Sequence, residues 1–121
     1  MNTLDEFTRA YIECALWSST DGADESGGEP LDANYDFDDL APEAVAKMAE
    51  DCADFQAANA YALTKAGDDA RNGHDFWLTR NHHGAGFWDR GYGVHGQILT
   101  DAAHVYGECD IYVGDDGKLY T

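Results

Sequence analysis

Residues 74–91 read His74-Asp75-Phe76-Trp77-Leu78-Thr79-Arg80-Asn81-His82-His83-Gly84-Ala85-Gly86-Phe87-Trp88-Asp89-Arg90-Gly91. How this stretch folds decides the class of the protein. Two short runs rich in aromatic and apolar residues flank His82-His83-Gly84. That pattern predicts strands over 75–81 and 85–90 joined by a tight turn. A turn centred on His83-Gly84 sets Thr79 opposite Trp88 and Trp77 opposite Arg90. Phe76, Leu78 and Phe87 then share the core face, and Asp75, Trp77, Trp88 and Arg90 share the other.

Working outward, the C-terminal side predicts a short helix over 96–106 with Ile98, Leu99, Ala102, Ala103 and Tyr106 inward. A terminal hairpin follows, 109–113 with 118–120, turning at Asp115-Asp116-Gly117. On the N-terminal side Thr3 and Glu6 form a capping box for a helix over about 4–17. Ser18 to Ala41 is polar, acidic and glycine-bearing, the pattern of a long surface loop. Pro42 opens a second helix. Val45, Met48, Cys52, Phe55 and Ala62 carry its apolar stripe to a stop at Gly67, with Glu43, Glu50, Asp51 and Asp54 off that stripe. The expected architecture is one α+β domain spanning 1–121, in the order α-α-β-β-α-β-β. An antiparallel sheet of about four strands would carry helices mainly on one face.

The net charge of −17 comes from 24 acidic and 7 basic residues. Residues 1–70 hold 17 acids and 3 bases, against 7 acids and 4 bases in 71–121. Such a surface repels nucleic acid and anionic membranes and attracts basic proteins. The candidate partner-binding acids are Asp21, Asp24, Glu25, Glu29, Asp32, Asp36, Asp38 and Asp39 in the loop, with Glu50, Asp51 and Asp54 on the second helix. The three cysteines, Cys14, Cys52 and Cys109, form no C-x-x-C, and Cys14 and Cys52 fall on the apolar faces of the predicted helices as reduced core thiols. The acidic N-terminus has no apolar signal region and no apolar run is long enough to span a membrane. A cytoplasmic location is expected.

A second constellation competes with the acids. His74, Asp75, Trp77, Arg80, His83, Trp88, Asp89 and Arg90 could together hold a small molecule or nucleotide, indole against base and guanidinium against phosphate. Asp75, His83 or Asp89 could act as acid or base there. No metal or cofactor site is expected. The histidines lack zinc spacing, and the calcium-like alternation Asp32, Asn34, Asp36, Asp38 has Phe37 where the loop needs glycine.

The 74–91 stretch, with the ALWSST segment near the first helix, the LAPE helix start and the YVGDDGK ending, resembles a family of small bacteriophage and prophage proteins. Their motif carries glycine at the position of His82. The resemblance implies a viral accessory protein made inside a bacterium and transfers no activity to particular residues. Joined to the charge, it yields the leading expectation. The protein would be a non-catalytic phage factor that binds and inhibits a host nucleic-acid-binding defence protein, of restriction or CRISPR type, through acids that imitate nucleic-acid charge. The partner would be a protein with a basic surface, with no direct nucleic-acid or membrane binding.

Overall fold

A computed structural model describes residues 4–19, 31, 35–82 and 86–121. These residues form five α-helices: α1 (Glu6–Ser18), α2 (Pro42–Ala58), α3 (Ala60–Thr64), α4 (Asp69–Arg80) and α5 (Val94–Val105). Short 3-10 turns occupy Phe37–Asp39 and Phe87–Asp89. The described sheet has two strands, β1 (Tyr112–Val113) and β2 (Leu119–Tyr120), antiparallel with Tyr112 opposite Tyr120. The four-stranded α+β expectation is therefore wrong; the described fold is helical with a small terminal hairpin.

The correction centres on 75–90. Residues 75–80 lie in α4, and 87–89 form a 3-10 turn in place of a second strand. Asp68 caps α4, its carboxylate accepting from the Arg71 amide at 2.8 Å. Asp69 adds negative charge at the positive end of the helix dipole. All six residues from Asp75 to Arg80 are buried. A helix enclosed on every side shows no 3.6-residue alternation, and a short apolar run of that kind cannot be told from a buried strand by periodicity. Phe76, Leu78 and Phe87 are buried as expected, but so are Asp75 and Trp77, assigned to the opposite face. In place of a hairpin turn, α4 ends at Asn81 and His82 takes the left-handed conformation, φ 58°. His83, Gly84 and Ala85 lie outside the described residues.

α4 packs along α1 so closely that a Cβ on Gly73 would overlap the Phe7 carbonyl oxygen. Tyr11 meets Phe76 at 5.2 Å between ring centroids and Trp77 edge-on at 5.3 Å. The Trp77 indole N–H donates to Ser18 Oγ at 2.8 Å. Phe55 of α2 stacks on Phe76 at 4.1 Å, and Phe7 and Tyr106 close the aromatic cluster around Phe76.

α1 starts at Glu6 under an Asp5 cap, which accepts from the Thr8 amide at 2.8 Å. Thr3, the expected cap, lies outside the described residues. The long second helix divides at Asn59, whose backbone leaves helical geometry (φ −124°, ψ 24°) while its side-chain amide donates to the Phe55 carbonyl at 3.0 Å. Such a local side-chain bond competes with helix continuation. Buried Asn72 ties the α3–α4 connection, donating to the Leu63 and Gly67 carbonyls and accepting from the Gly67 amide. The terminal hairpin docks through Leu119, which is fully buried and whose carbonyl accepts from the Ala41 amide at 2.9 Å.

Candidate functional site

Glu43, Glu50 and Asp54 are exposed on α2. Spaced by seven and four residues, they fall within about 40° on one outward stripe roughly 16 Å long. Lys47 shares that stripe. The preceding turn adds Asp36 and Asp38, exposed, and Asp39, half-buried. These acids cap one another's backbone: Asp36 Oδ1 accepts from the Asp38 amide, and Asp39 Oδ2 from the Asp36 amide. Leu40 and Ala41 carry the chain straight from this turn into α2. Asp21, Asp24, Glu25, Glu29 and Asp32 lie outside the described residues.

Asp51 is not on the outward stripe. It borders the apolar side of α2 and is only 7% exposed. Its Oδ2 accepts from Arg80 Nη1 at 2.9 Å and its Oδ1 from Lys47 Nζ at 3.0 Å. Arg80, expected at a ligand site, is instead a buried clamp. Nη1 also donates to Tyr11 Oη (2.9 Å), Nε to the Gly107 carbonyl (2.8 Å) and Nη2 to the Tyr106 carbonyl (3.1 Å). Burial opposes the charge on Arg80, but Tyr11 and Asp51 outweigh it and hold its pKa above the ordinary arginine value. Tyr11 is pushed up by burial, with Arg80 opposing. A cleft of about 560 Å3 opens outside this clamp, rimmed by Glu43, Lys47, Glu108, Cys109 and Asp110.

The remaining ligand candidates separate into different places. Asp75 is fully buried, and Arg90 grips it through two bonds, Nε at 3.0 Å and Nη2 at 2.8 Å. That bond pair raises the Arg90 pKa. His74 Nδ1 stands 3.6 Å from Asp75 Oδ1. His74 and Arg90 line a groove of about 380 Å3 with Arg71, Glu13, Ala10 and Ala70. Trp77 is buried in the core, whereas Trp88 is 56% exposed. Trp88 lines a second groove, about 300 Å3, with Thr79, Thr100 and the stacked rings of His82 and His104, 4.3 Å apart. Asp89 is exposed, and His83 lies outside the described residues. The hairpin that was to pair Thr79 with Trp88 and Trp77 with Arg90 is absent; Thr79 and Trp88 still share the second groove, from the end of α4 and the 87–89 turn, whereas Trp77 is in the core and Arg90 on Asp75.

Burial raises the thiol pKa of all three cysteines, Cys14 to about 12. Thiols so held are poor nucleophiles. Among the described residues no group of three or more His, Cys, Asp and Glu gathers to hold a metal, and no helix is long and apolar enough to cross a membrane. Sequence reasoning missed Arg71, Trp17 and Tyr11 as partners in these clusters. Arg71 carried a signal: it stands at N3 of the Asp68-capped helix, one turn before His74. The chain matches no known protein-family model, no curated protein and no solved structure.

Proposed function

We propose that the protein is a non-catalytic acidic factor that binds a basic surface on a host nucleic-acid-binding defence protein and inhibits it. The observation that carries this reading is the exposed stripe Glu43, Glu50 and Asp54, continued by the Asp36–Asp39 turn. Glu50 and Asp54 lie about 6 Å apart along α2, a spacing a row of phosphate-gripping lysines and arginines can meet. A protein of charge −17 is steered toward a positive groove and away from nucleic acid itself. The setting inside an infected bacterium is part of the proposal and rests on the resemblance read from the sequence of residues 74–91 alone. Asp51 has no part in the contact, because Arg80 and Lys47 already neutralise it.

The test is inhibition of DNA cleavage by purified restriction and CRISPR effectors of candidate hosts, repeated as salt is raised. Inhibition should weaken with salt, because screening shortens to about 8 Å at physiological ionic strength. Glu43→Lys, Glu50→Lys and Asp54→Lys combined should abolish it while the fold is retained. Full inhibition by that folded triple variant would refute the reading.

A further inference from the structure

We infer that the groove between α1 and α4 is a binding site for a purine nucleoside monophosphate, independent of the acidic stripe. The first ground is charge placement. Only seven basic residues offset twenty-four acids in this chain, yet two of them, Arg71 and the Asp75-paired Arg90, line this single groove beside His74. Arg71 brings a charge unpaired among the described residues, and Arg90 brings oriented N–H donors. The second is preorganisation. Arg90 is held by a fully buried carboxylate through Nε and Nη2, which fixes the plane of its guanidinium. Its Nη1 takes no part in that pair, and the side chain remains 27% exposed. Arg71 is exposed, and among the described residues no carboxylate lies within ion-pair distance of it. Two guanidiniums with spare N–H donors suit a phosphate.

The third ground is shape. Ala10 and Ala70 line the groove with minimal side chains, leaving about 380 Å3, the scale of a small-ligand site. Trp17, 59% exposed, flanks it, its ring 6.2 Å from that of His74. An exposed indole is a stacking platform for a base. Among the described residues Glu13 is the one acid on the groove wall, one helical turn from Trp17. A carboxylate there accepts N–H groups from a base edge. Guanine offers two adjacent donors, N1–H and the exocyclic amine; adenine offers only its amine, so GMP should be preferred over AMP.

Calorimetric titration of the full chain with GMP, AMP, guanosine and inorganic phosphate tests this. GMP should bind tightest, AMP weaker, and guanosine and phosphate at least about tenfold weaker than GMP. Binding should quench tryptophan fluorescence. Arg71→Gln and Trp17→Leu alter exposed side chains, so both should fold. Each should weaken GMP at least about tenfold, and Trp17→Leu should remove the quench. Trp88→Phe, in the other groove, should change neither affinity nor quench. Glu13→Gln should narrow the GMP preference. No heat from either nucleotide overturns the proposal, as does GMP binding that Arg71→Gln and Trp17→Leu leave intact. Loss of nucleotide binding would not touch the acidic-stripe reading, and the charge-reversed triple variant should still bind GMP.

Discussion

Arg80 shows what a single residue can hide. As one of seven basic residues in an acidic chain it suggests an exposed ligand contact. Its partners Asp51 and Tyr11 stand 29 and 69 residues away in sequence, a distance no local pattern spans. Removing one member of a buried ion pair strands the other. Arg80→Ala is therefore expected to cost about 3–5 kcal/mol in denaturant unfolding. Arg80→Met with Asp51→Leu should recover much of that loss. His82 points the other way. Its φ of 58° is a left-handed conformation that suits glycine at a helix end. His82→Gly should raise stability by about 1 kcal/mol, less whatever the His104 stack contributes. Cys14 sets an alkaline limit. Its folded pKa of about 12 lies above its ordinary value of 9.0, so the protonated thiol favours the folded state. That contribution is whole below pH 9.0 and declines as pH rises toward about 12. Equilibrium unfolding across that window should show stability falling, with Cys14→Ala flattening the slope.

At the scale of elements, the boundaries with chemical punctuation were the legible ones. Pro42 opens α2, Gly117 takes positive φ, and the Asp115-Asp116-Gly117 turn joins a hairpin whose strands are shorter than expected. α5 begins two residues earlier than its pattern suggested, and Ile98, expected inward, is 46% exposed. α4 was illegible through its periodicity, because polar Asp75, Thr79 and Arg80 are buried beside Phe76, Trp77 and Leu78. Its start carried a signal in the Asp68 cap that follows Gly67. The α1–α4 crossing depends on Gly73. Gly73→Ala gains helix propensity, about 1 kcal/mol at an open site. Here the new methyl must displace the α1 backbone at Phe7. A net loss above about 2 kcal/mol by denaturant melt is expected, since overpacking against backbone outweighs propensity. A stabilised Gly73→Ala variant would show that the two helices separate freely.

For the molecule as a whole, the candidate site was half legible. The acids were visible as composition, but which of them face outward was not, and Asp51 was lost to the interior. The ligand candidates were visible as a cluster in sequence that the fold separates, Arg80 into the buried clamp, Trp77 into the core, His74 and Arg90 with buried Asp75 to one groove and Trp88 to another. A charge of −17 also acts on folding itself, because the exposed carboxylates repel one another more in the compact state. Raising salt from about 0.01 M to about 1 M shortens the screening length from about 30 Å to about 3 Å. The thermal midpoint should rise over that range. A midpoint that stays flat or falls would mean that attractive pairs such as Arg90–Asp75 dominate the electrostatics.

The unbroken burial of residues 75–80 has a bearing on how such a sequence tolerates change. Nearly every substitution in that window either opens a cavity or strands a buried polar group. A mutational library of this chain selected only for folding, with no demand on activity, should return Asp75 to Arg80 almost unaltered, while positions along the exposed side of α2 drift. The most distinctive stretch of the chain would then look invariant for architectural reasons, and an observer seeking a functional centre by intolerance alone would be led to the middle of the protein.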